Sequence, residues 1–562
     1  MSASVIAWTI AIAAIGPAAA GLIWLGLARW PRVARAGLWV GIVVAHAASW
    51  AVFWFSYRGE EVVWRGARPT LLGATLAAAT ELGIILALVR AGSVAPRRVP
   101  TVILGLTVGA SAVVYGAYVD SLLVIALFLP VTTLAAAMVS LGDSRRADVR
   151  GLLSLAAADA AIVAGLSVLE ARLGTTMLAA DPGATLPYGL ILGGAAVKAG
   201  VIPGLGTWRL TAGGGPAALT TPALRGQALI LGAVVALQVG MAREADPAAV
   251  AAGGALLLNA VAAVLLRRGP ASLAASLGAG AGVAFLALSL GGGVGGRGFL
   301  ALAPPYLLAA GAAMLLGWDP QEDYLASRER DRRPPRAVWG WLGAAALAVA
   351  LGSLAGVPPG GGFPGSWLTL SLATARGLAE PLFLGVAGAA AIGLGVTFLS
   401  SAPLSGALRA RALPAVLGAV AAIGLVYAGL QPVRLGIGWW LRVEDELGLP
   451  ALLPAAGAPD LPPVGGLRFA AVLLPALVLV AAVVGLGRGI REARGPFAPM
   501  LSARAGEQPR LRRVAAILAR PRRIGRRASD QGLGFGLALV FEVAAVVLVA
   551  RLLLIGARSG FL

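Results

Sequence analysis

Apolar runs close to twenty residues long follow one another along nearly the whole chain, separated by short connections rich in Arg, Gly and Pro. A helix needs about 20 residues to cross the hydrocarbon core of a bilayer. In that medium the backbone must satisfy its own hydrogen bonds, which leaves only helices or a closed barrel. The runs are too long for barrel strands and lack their two-residue alternation. The expected fold is therefore an all-α polytopic membrane protein of about 14–16 transmembrane helices. With 562 residues, 59% of them hydrophobic and only 12% charged, little chain remains for a soluble domain, where about a quarter of residues carry charge.

The runs lie near 3–28, 36–56, 71–90, 101–119, 121–141, 151–170, 187–204, 217–242, 248–266, 270–294, 298–317 and 338–356, then a Gly/Pro-broken stretch over 357–404, then 412–431, 467–487 and 535–556. They organise the chain as N-terminal helices over 1–100, a core over 101–410, further helices over 411–487, a basic segment over 488–534 and a final helix in 535–562. Residues 510–520, Arg-Leu-Arg-Arg-Val-Ala-Ala-Ile-Leu-Ala-Arg, mix basic and apolar groups in a way suited either to lying along the membrane surface or to a solvated basic loop.

The formal charge of +20 would suit a nucleic-acid binder if the arginines formed one patch. They lie instead in the connections: Arg29, Arg32 and Arg35, then Arg97 and Arg98, then Arg145, Arg146 and Arg150 follow the first, third and fifth runs. That is the positive-inside pattern, which puts those connections in the cytoplasm and the N-terminus outside, and no nucleic-acid partner is expected. Ser2 to Ala28 has no basic residue before its apolar run and is long enough to span, so it reads as a retained helix. No cysteine is present and His46 is the one histidine, which excludes thiolate sites and speaks against a histidine-built metal or haem centre. P-loop, zinc and hydrolase patterns are absent, and the run Leu290 to Gly296 reads as flexible connection. The chain carries no catalytic chemistry of its own, and no cofactor is expected.

Two stretches break the pattern. Ile202-Pro203-Gly204-Leu205-Gly206-Thr207-Trp208 leads to Gly213-Gly214-Gly215-Pro216, and Gly356-Val357-Pro358-Pro359-Gly360-Gly361-Gly362-Phe363-Pro364-Gly365-Ser366-Trp367 follows roughly 150 residues later. Irregular backbone at membrane depth persists only where it is buried or lines a wet cavity. Two such breaks in corresponding places predict two inverted repeats, each with a discontinuous helix, near 198–222 and 356–380.

Ionisable side chains at membrane depth are costly and mark function by default. Lys198, just before the first break, is the only lysine among 45 basic residues. A lysine can switch between charged and neutral forms, whereas an arginine keeps its proton, so Lys198 is the leading proton-relay candidate; a chance survivor of an arginine-biased composition is the alternative. Asp159, Glu81 and Glu542 are the acids inside apolar runs, candidates either to pair with Lys198 or Arg225 across helices or to carry protons. Arg225 suits a gate or counter-charge. His46 on an apolar helix reads as a packing residue.

The broken stretches resemble a known family: the antiporter-like membrane subunits of respiratory complex I, Mrp-type cation/proton antiporters and membrane-bound hydrogenases. Gly356-Val357-Pro358-Pro359-Gly360-Gly361-Gly362-Phe363 to Trp367 is similar to the family's G-I/V-P-P-x-x-G-F-x-x-K/E-W/F stretch. Lys198 to Pro203, then Thr207-Trp208 to Ala212, resembles K-S-A-Q-x-P followed by H-T-W-L-P-D-A, with one residue inserted, and Thr221-Pro222 resembles the T-P that opens the next half-helix. Arg267 to Ser276 resembles D-I-K-R-x-L-A-Y-S more loosely. The similarity covers residues 100 to 400, with Pro203, Trp208, Pro358, Pro359, Gly362, Phe363 and Ser366 as its gating or structural positions.

The resemblance implies a multi-pass subunit in the plasma (inner) membrane of a bacterium or archaeon, moving protons or cations among other membrane subunits of a multisubunit assembly such as an NADH:quinone oxidoreductase-like translocase. It also implies a soluble redox or carbonic-anhydrase-like partner. The departures matter equally. The family's glutamate in the fifth segment aligns with Pro130, its eighth-segment lysine falls near Pro270, its tenth-segment lysine near Ala303 or Pro304, and its charged residue in the second broken helix falls on Ser366. The family's histidine and aspartate of H-T-W-L-P-D-A become Gly206 and Thr211. Two further readings follow: a non-conducting docking subunit that keeps the shape without the relay, and the membrane half of a two-component inorganic-carbon uptake system that energises a soluble zinc protein.

Overall fold

The structure, a computed structural model, describes residues 3–60, 63–64, 66–91, 99–119, 121–141, 149–174, 185–213, 215–233, 259, 269–289, 292–317, 337–354, 356, 360–366, 369 and 412–430. They form helices α1 (Ala3–Gly26), α2 (Pro31–Tyr57), α3 (Leu71–Ala91), α4 (Val99–Ala117), α5 (Leu122–Leu141), α6 (Val149–Leu173) and α7 (Thr185–Ala199). These are followed by α8 (Gly206–Gly213), a 3₁₀ turn at Pro216–Thr220, α9 (Thr221–Ala233), α10 (Gly269–Ser289), α11 (Gly292–Gly317), α12 (Ala337–Leu354) and α13 (Ala412–Leu430). No strand occurs among the described residues beyond isolated bridges that tie Ala67 to Trp64 and Val119. Seven of these helices are long and apolar enough to cross a bilayer.

The expected segments 71–90 and 412–431 coincide with α3 and α13 to within a residue. The expected final helix, the basic segment over 488–534, Glu542, Pro358 and Pro359 lie outside the described residues.

Several helix ends differ from expectation, among them the start of α2 at Pro31 and the end of α10 at Ser289, and three differences bear on the first break and the core. The segment expected over 187–204 ends at Ala199, because Gly200 turns to φ +72°. That places Lys198 in the last turn of α7, not in mid-helix. The segment expected from 217 begins as a 3₁₀ turn and becomes α-helical only at Thr221. The Gly-rich run read as flexible connection is helical from Gly292, as the first turn of α11. Glycine is a poor helix former in isolation, but Gly298 and Phe299 pack this end of α11 into the core, and tertiary contact overrides propensity.

Large apolar side chains on the outer faces of α1 and α2 are exposed, among them Trp8, Leu22, Val40 and Val43. Such a surface suits lipid contact. Inside, the bundle is drawn tight at small residues, where backbones can approach closely. A Cβ on Gly311 of α11 would stand 2.7 Å from the Gly83 Cα of α3, and one on Gly226 of α9 would collide with Thr80 of α3. α3 is thereby fixed between α9 and α11 and forms the spine on which the first break rests.

Candidate functional site

The close crossing of α6 and α7 builds the central charge pair. A Cβ at Gly194 would lie 2.6 Å from the Ala158 carbonyl oxygen, and one at Gly165 would lie 2.7 Å from Ile191. Lys198 follows Gly194 by four residues and so shares its helix face. Asp159 follows Ala158 on the facing helix. Lys198 Nζ accordingly donates to Asp159 Oδ1 over 2.5 Å and to the Leu129 carbonyl over 2.6 Å. Thr133 of α5 donates to the second carboxylate oxygen of Asp159 over 2.5 Å.

Pro130 lies inside α5 and has no N–H to give to the carbonyl four residues back, that of Ala126. The carbonyls of Phe128 and Leu129 are met by side chains from elsewhere: Gln227 Nε2 donates to the former over 3.0 Å and Lys198 to the latter. Gln227 Oε1 in turn accepts from Thr132 over 2.5 Å. At the α5 position where the resemblance places a glutamate, the chain offers Lys198 a backbone carbonyl instead, and the carboxylate comes from α6.

The break itself is held by named hydrogen bonds. Beyond Gly200, the chain runs to Gly206, whose N–H is capped by Ser154 of α6 over 2.7 Å. Thr207 donates to the Lys198 carbonyl over 2.5 Å, tying the start of α8 to the end of α7. Trp208 Nε1 donates to Asn259 over 3.0 Å, and Asn259 donates to the Val201 carbonyl over 2.6 Å, so that one amide clamps both sides of the break. Pro203 lies within the turn between the two half-helices. This non-helical backbone is satisfied by side chains, as membrane depth demands.

Arg225 of α9 is the largest fully buried side chain among the described residues. Its Nη1 donates to the Tyr306 hydroxyl over 2.6 Å, and that hydroxyl donates to the Leu277 carbonyl over 3.0 Å. Nε and Nη2 have no hydrogen-bond partner among the described residues. The guanidinium lies over the break, with Nη2 2.9 Å from where a Cβ of Gly200 would be. Tyr306 adjoins Pro304 and Pro305 inside α11, and a Cβ on Gly361 in the second break would come within 3.0 Å of Pro305. Arg225 and Tyr306 thus form a bridge of packed groups from one break toward the other.

At the second break Gly356 has φ +69°, and a Cβ there would stand 2.6 Å from the Ser366 hydroxyl. The Gly362 N–H is capped by Ser353 Oγ over 3.0 Å, and Phe363 begins a helical turn that includes Ser366. No ionisable side chain stands among the described residues of this break.

The remaining candidates separate. Glu81 of α3 is buried and meets neither Lys198 nor Arg225 but His46 of α2, at 3.1 Å. His46, read from the sequence as a packing residue, is therefore a polar partner. Both pairings join residues more than thirty positions apart, so no helical spacing could have revealed them; the signal present was the rarity of each residue type. Among the described residues no group of three or more His, Asp or Glu side chains could hold a metal ion.

No protein-family profile and no curated protein matches the chain. Solved structures do match. A chain of respiratory complex I from Thermus thermophilus with bound Aureothin aligns with a TM-score of 0.58 and 21% identity, over 76% of this chain and 98% of that one. The Mrp complex from Dietzia sp. DQ12-45-1b aligns with a TM-score of 0.61 and 17% identity, over 98% of this chain and 63% of that one. The membrane-bound sulfane sulfur reductase, an archaeal respiratory membrane complex, aligns with a TM-score of 0.63 and 17% identity, over 96% of this chain and 99% of that one. With an all-α bundle and apolar, membrane-length helices already established, these likenesses give the chain the fold of the antiporter-like membrane subunits of respiratory complex I, Mrp and sulfane sulfur reductase assemblies.

Proposed function

We propose that the chain is an antiporter-like integral membrane subunit of a multisubunit complex I-related assembly, taking part in proton or cation translocation, with Lys198 as its charge switch. One observation carries the reading: the only lysine of the chain is buried in the last turn of a discontinuous helix, paired with Asp159 at 2.5 Å. An ammonium has three N–H donors, and Asp159 and Leu129 take two of them. The third meets no acceptor among the described residues and is the one proposed to exchange. When Lys198 gives up that proton and becomes an amine, Asp159 is left with uncompensated charge; when the proton returns, the pair re-forms. The half-helices joined at Gly200 allow the end of α7 to respond to that change. Other membrane subunits of the assembly would couple to it through the bundle surface.

Proton flux into liposomes holding the purified chain, alone and with co-purified partners, tests this. Lys198→Ala and Lys198→Arg should each abolish flux, the second because an arginine cannot release its proton. Flux that survives both substitutions would remove Lys198 from the mechanism.

A second reading has its own support. Pro130 and Ser366 occupy positions where the resemblance expects charge, and Pro270 and Ala303 or Pro304 stand near two more. A proton wire needs neighbouring titratable groups or water. A non-conducting docking subunit would keep the fold and lose the relay, and liposomes of every composition would then stay silent.

A further inference from the structure

A second cluster of buried polar groups lies where α2, α3 and the connection after α4 meet. Trp50 Nε1 donates to His46 Nε2 over 3.0 Å. An indole N–H only donates, so Nε2 is the acceptor and the single ring proton sits on Nδ1, facing Glu81 Oε2 at 3.1 Å. His46 is neutral in this arrangement, since a second ring proton would point at the Trp50 N–H. Among the described residues the other carboxylate oxygen, Glu81 Oε1, is buried without a hydrogen-bond partner, and Ser49 Oγ and the Tyr118 hydroxyl are buried in the same way. The Tyr118 hydroxyl lies near Ser49 and within range of the Glu81 charge. All three residues are nearly or wholly closed off, at 2%, 0% and 0% exposure for Glu81, Ser49 and Tyr118.

A buried carboxylate facing only a neutral imidazole is an expensive group at membrane depth. The charged and titratable groups on the elements around α3 do not relieve it. Arg225 on α9 donates to Tyr306 on α11, Tyr115 on α4 packs on Trp64 and Phe128, Tyr427 on α13 is exposed, and Arg32 and Arg35 sit at the exposed start of α2. A carboxylate oxygen left without a donor among the described residues, in a region that also holds the buried Ser49 and Tyr118 hydroxyls, is the feature that needs a partner, and a proton is the smallest one.

We infer that Glu81 is a proton-binding site distinct from the Lys198–Asp159 pair, served by His46. The His46 side chain is 18% exposed and the Glu81 side chain 2%, so the imidazole is the less buried member of the pair and the one a proton meets first. A proton arriving at His46 Nε2 displaces the Trp50 bond, and the Nδ1 proton passes to Glu81 Oε2. The ring is then the Nε2–H tautomer, with Nδ1 accepting from the new Glu81 O–H. One proton enters, one proton moves on, and the imidazole ends neutral. The other oxygen, Oε1, remains an acceptor that the Ser49 or Tyr118 hydroxyl, or a water between them, can serve in both states. Trp50 thereby reports the loading, because its N–H loses its acceptor.

This site can be read at equilibrium without any flux, so its failure is separate from failure of the transport reading. The experiment is pH-difference infrared spectroscopy of the full chain in lipid nanodiscs. A carboxylic-acid C=O band should grow as pH falls, vanish in Glu81→Gln, shift in Tyr118→Phe and persist in Asp159→Asn. In the same titration the Trp50 indole N–H signature, assigned with Trp50→Phe, should move with the band. The inference is overturned if the band is unchanged in Glu81→Gln, if no titrating band is seen in protein that elutes as a folded monodisperse species, or if sodium at fixed pH, and not the proton, moves the Glu81 signal.

Discussion

Lys198 Nζ stands 2.5 Å from Asp159 Oδ1 with the lysine side chain 0% and the aspartate side chain 8% exposed, so neither charge has water to fall back on. Removing one member of such a pair strands the other and typically costs about 3–5 kcal/mol. Lys198→Met and Asp159→Leu should each lower the unfolding midpoint in detergent by that order, Asp159→Leu also leaving Thr133 without its acceptor. The double substitution should recover much of the loss, because no unpaired charge remains. A double variant as unstable as the sum of the two singles would mean that the two side chains act independently.

The turn at Gly200 offers a test of the break. Its φ of +72° is a left-handed conformation that side chains tolerate poorly, and an added Cβ would also lie 2.9 Å from both Arg225 Nη2 and the Trp208 N–H. Gly200→Ala should cost about 1–3 kcal/mol from backbone strain alone, with the guanidinium displaced besides. Gly193→Ala provides the control on the same helix, since its Cβ would meet nothing within 4 Å and alanine favours the helix by up to about 1 kcal/mol. Thermal midpoints of the two variants should move in opposite directions.

The legible part of this fold is the part that the bilayer dictates. Helix α3 could be read to within a residue because its length is set by membrane thickness and its ends by Pro69 and the polar stretch after Ala91. The breaks were legible as Gly/Pro clusters, but where each half-helix stops was not. Ala199 ends α7 because Gly200 accepts a conformation that composition does not announce, and Gly292 begins α11 because packing overrides glycine's weak propensity. Site residues were legible as types and not as partners. A lone lysine and a few intramembrane acids stood out from an arginine-rich background, yet the choice of Asp159 for Lys198 and of His46 for Glu81 is made by helix crossings at Gly165, Gly194 and their like. Even the residue that sequence reasoning set aside, His46, was flagged by its uniqueness.

Tyr118, in the connection just beyond α4, gives a pH dependence with a definite sign. Burial raises its hydroxyl pKa well above the usual tyrosine value, the negative charge of Glu81 adds to the rise, and the nearby Ser49 hydroxyl opposes it. In the unfolded chain a tyrosine ionises near pH ~10. Below that pH the hydroxyl is protonated in both states and the folded protein keeps its full stability. Above it the unfolded chain loses the proton while the folded one retains it, so stability falls as pH rises toward the folded value. Tyr118→Phe should flatten this alkaline limb without altering the midpoint near neutrality by more than the loss of one hydroxyl. The check is the unfolding midpoint of both proteins followed across the alkaline range.

Arg225 and Tyr306 make the last test, because their bond is the link from the first break toward the second. Arg225 is 0% exposed, donates Nη1 to Tyr306 over 2.6 Å, and leaves Nε and Nη2 without acceptors among the described residues. Tyr306→Phe removes the one side-chain acceptor this guanidinium has, and leaving a buried charged donor unmet costs about 1–3 kcal/mol or more. Arg225→Met acts the other way. It removes an unpaired buried cation and fills the space with a flexible apolar chain, a change that is often neutral or stabilising, while the Tyr306 hydroxyl keeps its bond to the Leu277 carbonyl. Arg225→Met should therefore be at least as stable as the parent chain, Tyr306→Phe less stable, and the double variant close to Arg225→Met alone, as read from unfolding midpoints in one detergent. A marked loss of stability in Arg225→Met would show that Nε and Nη2 meet an acceptor in the assembled protein, supplied by a neighbouring subunit or a bound anion, and that the arginine is there to hold it.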